Sequence, residues 1–137
     1  MNSSYWGPHS WYFLHFVSFH YPINPSNQDK QNYGKFYDSI QYILPCQKCN
    51  LHYSELLKKF PIQLNTRLDL VKWVINIHNE VNKSIHKKIL SFNEVENIYR
   101  NQFNYSIKNN ELINNQKLSS FLLLIILIIL LLIYLKY

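Results

Sequence analysis

Pro45-Cys46-Gln47-Lys48-Cys49 contains the only two cysteines of this 137-residue chain. Two intervening residues let a pair of thiols at a helix start close into a small, reversible disulfide ring. A thiol there feels the positive end of the helix dipole, and Lys48 adds a cation; both favour the thiolate, the species that exchanges disulfides. The same spacing also serves metal sites, and two packed structural thiols are a third reading. For zinc, Cys46, Cys49 and His52 offer three ligands, with His78, His86 or water as a fourth. Structural zinc, however, usually draws on two ligand pairs, and no second compact Cys/His pair is present. A c-type haem needs histidine directly after the second cysteine, where Asn50 stands. A thioredoxin-like domain needs a βαβ context that the chain lacks.

Other residues of chemical interest lie on either side. Trp6-Gly7-Pro8-His9-Ser10-Trp11 leads to His15, which is four residues from Trp11 and shares its helical face. Further on, Trp73 precedes His78, Asn79 and Asn82. A lone Trp or His on an apolar face is more often core than ligand. Asparagine within a helix is less easily dismissed, since it prefers caps, and buried polar side chains need partners. A large flat ligand with hydrogen-bonding edges would satisfy these groups and stack on the aromatics.

The elements that position these residues read as helices. The first is expected to start near Gly7-Pro8. From Trp11 to His20 it is so apolar that burial on more than one side is expected, and Tyr21-Pro22 ends it. Ser26 with Asp29 forms a capping-box pattern opening a second helix, whose stripe is Tyr33, Phe36, Tyr37, Ile40 and Ile43. Pro45 ends that helix and seeds a third that begins at the cysteines and runs towards Lys59, with Leu51, Leu56, Leu57 and Phe60 inward. Thr66 with Asp69 opens a fourth, carrying Leu70, Val71, Trp73, Val74, Ile77, His78 and Val81. Ser91 with Glu94 opens a short fifth, bearing Val95, Ile98 and Tyr99. No stretch alternates with period two, so the expected fold is all-α: a four-helix bundle with a short fifth helix, plus a C-terminal transmembrane helix.

The boundaries expected are a domain over 1–103, a polar linker over 104–117 and a membrane span over 118–135. From Leu118 to Leu135 the chain is almost wholly Leu, Ile and Phe, and an apolar helix of about 18–20 residues crosses a bilayer core of about 30 Å. With no signal peptide at Met1, the segment reads as a tail anchor that leaves the domain in the cytoplasm. Lys117 and Lys136 flank both ends, so local charge does not set orientation. The net charge of +6 is dispersed. It suits a solvated surface, an anionic dinucleotide or acidic lipid; no nucleic-acid fold signature accompanies it, and nucleic acid is not expected as a partner. The excess of Asn, Ile, Lys and Tyr suggests AT-rich coding, as in a parasite or large virus.

Taken together, W-G-x-x-x-W-x-x-L-H, P-C-x-x-C-x-x-H-Y and W-x-x-x-x-H-N-x-V-N resemble the Erv/Alr family of FAD-linked sulfhydryl oxidases, over roughly Tyr5 to Tyr99. The resemblance implies a helical bundle, commonly dimeric, with the FAD isoalloxazine beside the redox disulfide. It implies Cys49 as the flavin-proximal cysteine and Cys46 as the one that exchanges with substrate. It implies FAD contacts from Gly7, Trp11, His15, His52, Trp73, His78, Asn79, Asn82 and Lys87. His86 and Lys88 replace the family's usual glycine and proline around Lys87. The implied reaction oxidises two thiols with oxygen and releases hydrogen peroxide, the substrate being a thiol-containing protein or a thioredoxin-like carrier. Relatives often carry a second, shuttling cysteine pair; this chain has none and resembles the minimal members of large DNA viruses, which suggests a virion or host-cell membrane. The competing readings are a tail-anchored adaptor without activity and a flavin-free disulfide carrier.

Overall fold

The computed structural model describes residues 3–100 and 116–125, and every regular element among them is helical. Two units divide the chain, Met1–Arg100 and Asn101–Tyr137. The first contains α1 (Ser3–Phe19), α2 (Asn27–Ile43), α3 (Gln47–Lys59) and α4 (Arg67–Ser84), then a single turn, α5 (Phe92–Val95), that runs on into a π-helical turn, Glu96–Arg100. This is the four-helix bundle with a short fifth helix expected from the sequence.

Local chemistry sets the helix starts. Ser26 Oγ accepts from Asp29 N at 3.2 Å, and Ser26 N donates to Asp29 Oδ2 at 2.9 Å, which closes a capping box at α2. Ser91 and Glu94 repeat it at α5. At α4 only half of the box forms: Thr66 Oγ1 accepts from Asp69 N, and the Asp69 carboxylate then accepts from that same hydroxyl at 2.8 Å. α1 begins at Ser3 rather than near Gly7, so Pro8 lies inside it. The proline withholds one ladder bond, but its fixed φ is compatible with the helix.

α4 is the central helix. Leu70, Trp73, Val74 and Ile77 pack with Leu14, Tyr37, Ile40, Tyr53 and Leu56, while Val71 and Ile75 pack with Val95 and Tyr99. Buried ring hydroxyls and indole N–H groups need acceptors, and those of Tyr53, Tyr37 and Trp73 find main-chain carbonyls. Tyr53 Oη donates to Tyr37 O at 3.1 Å, Tyr37 Oη to Leu14 O at 2.9 Å, and Trp73 Nε1 to Phe60 O at 2.8 Å.

Three packing expectations are corrected. α1 buries one face, Leu14, His15 and Ser18, and leaves Tyr12 and Phe13 exposed, because α4 and the π-helical turn cover it from one side only. Leu51 is exposed, because Tyr53 and Leu56 set the inner face of α3 and Leu51 lies about 200° around the helix from Tyr53. Ile43 is exposed too, because α2 ends there and Leu44 packs against the core instead.

The end of α4 is a Schellman motif. Lys87 N donates to Asn82 O at 2.8 Å and His86 N to Lys83 O at 3.2 Å, with His86 at φ 56°. This left-handed position favours glycine, the residue that the family resemblance leads one to expect there. His86→Gly should therefore raise stability by about 0.5–1 kcal/mol, the relief of strain exceeding the extra unfolded-state entropy. A urea midpoint shifted upward at unchanged slope is the expected readout; an unchanged midpoint would show that the histidine is unstrained.

In the second unit, residues 116–125 are helical and exposed, including Leu118, Phe121, Leu122 and Leu124. Among the described residues no helix is long and apolar enough to cross a membrane. The span expected over 118–135 and the linker over 104–117 lie largely outside the described residues.

Candidate functional site

Pro45 disfavours helical backbone at Leu44, which caps α2 in an extended conformation (φ −61°, ψ 137°). Cys46 is extended too (φ −157°, ψ 108°) and serves as the N-cap of α3. Its Sγ accepts from Cys49 N at 3.2 Å, and the two residues are joined by a disulfide with their Cα atoms 5.2 Å apart. The sulfurs thus sit at the positive end of α3, where a thiolate is stabilised. Asn50 braces the turn: its Nδ2 donates to Leu44 O at 3.2 Å, while its Oδ1 is buried without a partner.

His52, one turn further along α3, lies within electrostatic reach of Glu80 on α4. Glu80 is held below the usual carboxylate range chiefly by a hydrogen bond from Lys83, with smaller contributions from the charges of Lys59 and His52. Among the described residues no three His, Cys, Asp or Glu side chains converge as a metal site would require.

A second centre forms where α1, α4 and the π-helical turn meet. Trp11 stacks on His78 with centroids 4.1 Å apart and planes 8° from parallel. His15 Nε2 and His78 Nδ1 are 2.9 Å apart, a hydrogen bond between two imidazoles. Tyr99 stacks on His15 at 4.4 Å and 19°. Burial, and then the neighbouring His78, push the His15 pKa down to about 3. Burial, and then the Lys87 charge, lower His78 to about 4. Both rings are therefore neutral at physiological pH. One donates to the other, and His15 Nδ1 is left buried without a partner.

The remaining sequence-derived candidates divide. Asn82 is buried beside this cluster on α4, and its carbonyl anchors Lys87. Gly7 has nothing within 4 Å of where a Cβ would sit, so the chain itself does not require glycine there. Trp73 stands apart from the imidazole pair: it meets Tyr37 edge-on at 5.3 Å and borders an open cleft of about 360 Å³ with Phe60, Lys72 and Asn76. Asn79 is a clamp. Its Nδ2 donates to Leu90 O at 2.8 Å and its Oδ1 accepts from Leu90 N at 2.9 Å, which pins the segment after α4. Asn79→Ala leaves both Leu90 groups without their partner and should cost about 1–3 kcal/mol. Thermal melts check the magnitude, and hydrogen exchange at Leu90 should accelerate. Tyr99 is the residue that sequence reasoning assigned only to packing; its aromatic type was the available signal.

A flavin dinucleotide asks for planar faces, hydrogen-bonding edges and a cation for its pyrophosphate. The ring cluster, the unpartnered His15 Nδ1 and Trp6 Nε1, and Lys87 near His78 supply that set. The residues present fit the group.

A helical bundle with a redox disulfide capping one helix and an imidazole–aromatic cluster on the adjoining pair defines a small helical redox protein. The sequence model of the Erv1/Alr family matches residues 8–120, and the chain belongs to that family. It is 44% identical over 97 residues to a probable FAD-linked sulfhydryl oxidase of Acanthamoeba polyphaga mimivirus, covering 69% of this chain and 68% of that one. It is 37% identical over 101 residues to an FAD-linked sulfhydryl oxidase of African swine fever virus, covering 69% and 80%. The fold matches the crystal structure of the FAD binding domain of Erv1 from Saccharomyces cerevisiae with a TM-score of 0.70 at 29% identity, covering 74% of this chain and 96% of that one.

Proposed function

We propose that the protein is an FAD-linked thiol oxidase that makes disulfides in thiol-containing proteins or in a thioredoxin-like carrier. The observation that carries this reading is the Cys46–Cys49 disulfide at the N-terminus of α3 in a member of this family. A substrate thiolate attacks Cys46 Sγ, the Cys46–Cys49 bond breaks, and Cys49 leaves as a thiolate at the helix start. A second substrate thiolate attacks the substrate sulfur of the mixed disulfide, releases Cys46 and closes the substrate disulfide. FAD, when bound, would supply the two-electron chemistry that links oxidation of the dithiol to reduction of oxygen to hydrogen peroxide. Trp11, His15, His78, Asn82 and Lys87 would hold the cofactor, with Gly7 allowing close approach and His52 flanking the dithiol. Trp73 and Asn79 support that pocket from the core and from the Leu90 clamp.

Three further parts belong to the same proposal. Residues 1–103 form the oxidase domain, 104–117 a linker and 118–135 a membrane anchor; the apolar, exposed helix over 116–125 supports the anchor, since water is a poor environment for such a surface. The catalytic domain faces the cytoplasm, on a virion or host-cell membrane. The exposed aromatic face of α1, Tyr5, Tyr12 and Phe13, supports a homodimer.

The purified protein should be yellow, consume oxygen with dithiothreitol and release peroxide in equal amount. A colourless, folded protein that consumes no oxygen would sink the oxidase reading in favour of an adaptor. Thiol exchange without peroxide would instead indicate a flavin-free carrier.

A further inference from the structure

The redox disulfide is flanked in the chain by exposed apolar side chains that the bundle does not use. Ile43, at the end of α2, is 70% exposed and its neighbour Tyr42 73%; Leu51, two residues past Cys49, is 62% exposed. Neither Ile43 nor Leu51 serves the core, whose places at these helix ends are taken by Leu44 and Tyr53. From Ser39 to Ser54 the only Asp, Glu, Lys or Arg is Lys48, in a chain with 22 such residues. A nearly uncharged stretch of this kind, with apolar side chains held in water on both sides of the cysteines, marks an interaction surface.

What covers it follows from the disulfide. A substrate sulfur must come within bonding distance of Cys46 Sγ, so the chain that carries this sulfur has to lie over the residues beside Pro45 and Cys49. The apolar surface is continuous in sequence with the atoms that this partner must reach. We infer that Tyr42, Ile43 and Leu51 form the docking surface for the oxidase's protein substrate, and that they select cysteines flanked by apolar residues. The inference rests on the oxidase reading and adds the substrate class: a segment with Leu, Ile, Val or aromatic side chains next to its thiols.

The exchange itself balances as described above: two substrate thiols lose two electrons and two protons, the electrons reduce the Cys46–Cys49 bond, and the protons pass to solvent. Docking raises the local concentration of the attacking thiolate and leaves the chemistry unchanged.

The test uses the full-length, flavin-loaded protein and two reduced Cys-x-x-Cys peptides, identical except that one has Leu and Ile flanks and the other Ser and Asn. The wild type should show a KM about tenfold lower for the apolar peptide, equivalent to about 1.4 kcal/mol. Ile43→Lys and Leu51→Lys should erase that difference while oxidation of dithiothreitol is unchanged. A readout independent of the flavin comes from Cys49→Ser, whose Cys46 should be trapped faster by a disulfide of the apolar peptide than by that of the polar one. Equal KM values for the two peptides, or lysine variants that keep the preference, would overturn the inference. So would lysine variants that lose dithiothreitol oxidation equally, or that turn a dimer into a monomer, since the face would then be structural or a contact between copies. Failure of the wild type to oxidise dithiothreitol would instead reject the oxidase reading itself.

Discussion

Cys49→Ser and Cys46→Ser should each lower dithiothreitol-driven oxygen consumption by about a thousandfold or more, to the level of the solvent reaction. One sulfur can form a mixed disulfide but cannot release it as a closed pair, so no two-electron step completes. The N-cap geometry makes the Cys46 substitution clean. Cys46 Sγ accepts from Cys49 N, and serine is among the best residues for that task, so α3 keeps its start. The variant loses the small ring, worth about 2 kcal/mol on loop-closure grounds, and should therefore be compared with the reduced wild type. Unchanged flavin absorbance and a melting temperature near that of the reduced protein would separate lost chemistry from lost structure. Residual turnover above a few per cent would show that another route carries the electrons.

The second large effect concerns acid. His15 and His78 titrate at about 3 and about 4 in the folded protein, well below the ordinary imidazole value of 6.5. The unfolded chain therefore binds more protons than the folded one below pH 6.5, and stability falls as pH drops through that value. Lowering the pH from 7 to 5 should cost about 3–4 kcal/mol for the two groups together, a large share of a typical domain's stability. Asp29 and Glu94, whose carboxyls are also held down, act with the same sign, but only as the pH falls below the ordinary carboxylate values. The window from 7 to 5 thus reports the histidine pair. Urea midpoints of the flavin-free protein at both values measure it, and His78→Gln should remove about half of the slope. A midpoint flat across that range would show that both rings keep their ordinary titration in the native state, and a slope halved in the wild type that one of them does.

Much of this was legible in the chain because it is local. The caps at Ser26 and Ser91, the break at Pro45 and the stripe of α4 each depend on residues three or four apart. The cysteine pair at the start of α3 was legible for the same reason. What failed depends on phase or on the third dimension. Ile43 and Leu51 match an apolar spacing, but the stripe shifts where a helix ends, and Leu44 and Tyr53 fill the interior. Trp11 and Trp73 look alike in sequence. Only the packing of α1 on α4 puts the first over His78, and only the approach of the end of α3 to α4 gives the second the Phe60 carbonyl. The Asn79 clamp is invisible in the chain because its partner, Leu90, lies beyond the helix, and backbone partners leave no trace in residue type. Tyr99 reaches His15 from a π-helical turn, whose register the ordinary helical period does not describe.

The two tyrosine hydroxyls that run in series from α3 to α1 carry a mechanical consequence. Tyr53 grips the backbone of α2 at Tyr37, and Tyr37 grips the backbone of α1 at Leu14. Apolar packing alone lets helices slide along one another at little cost, whereas an O–H···O contact tolerates only a few tenths of an ångström. The bundle thus works as a jig. The helix that carries the sulfurs and the helix that carries Trp11 and His15 are locked at a fixed axial offset through α2. The spacing between the disulfide and the Trp11–His15 face is thereby a property of the scaffold.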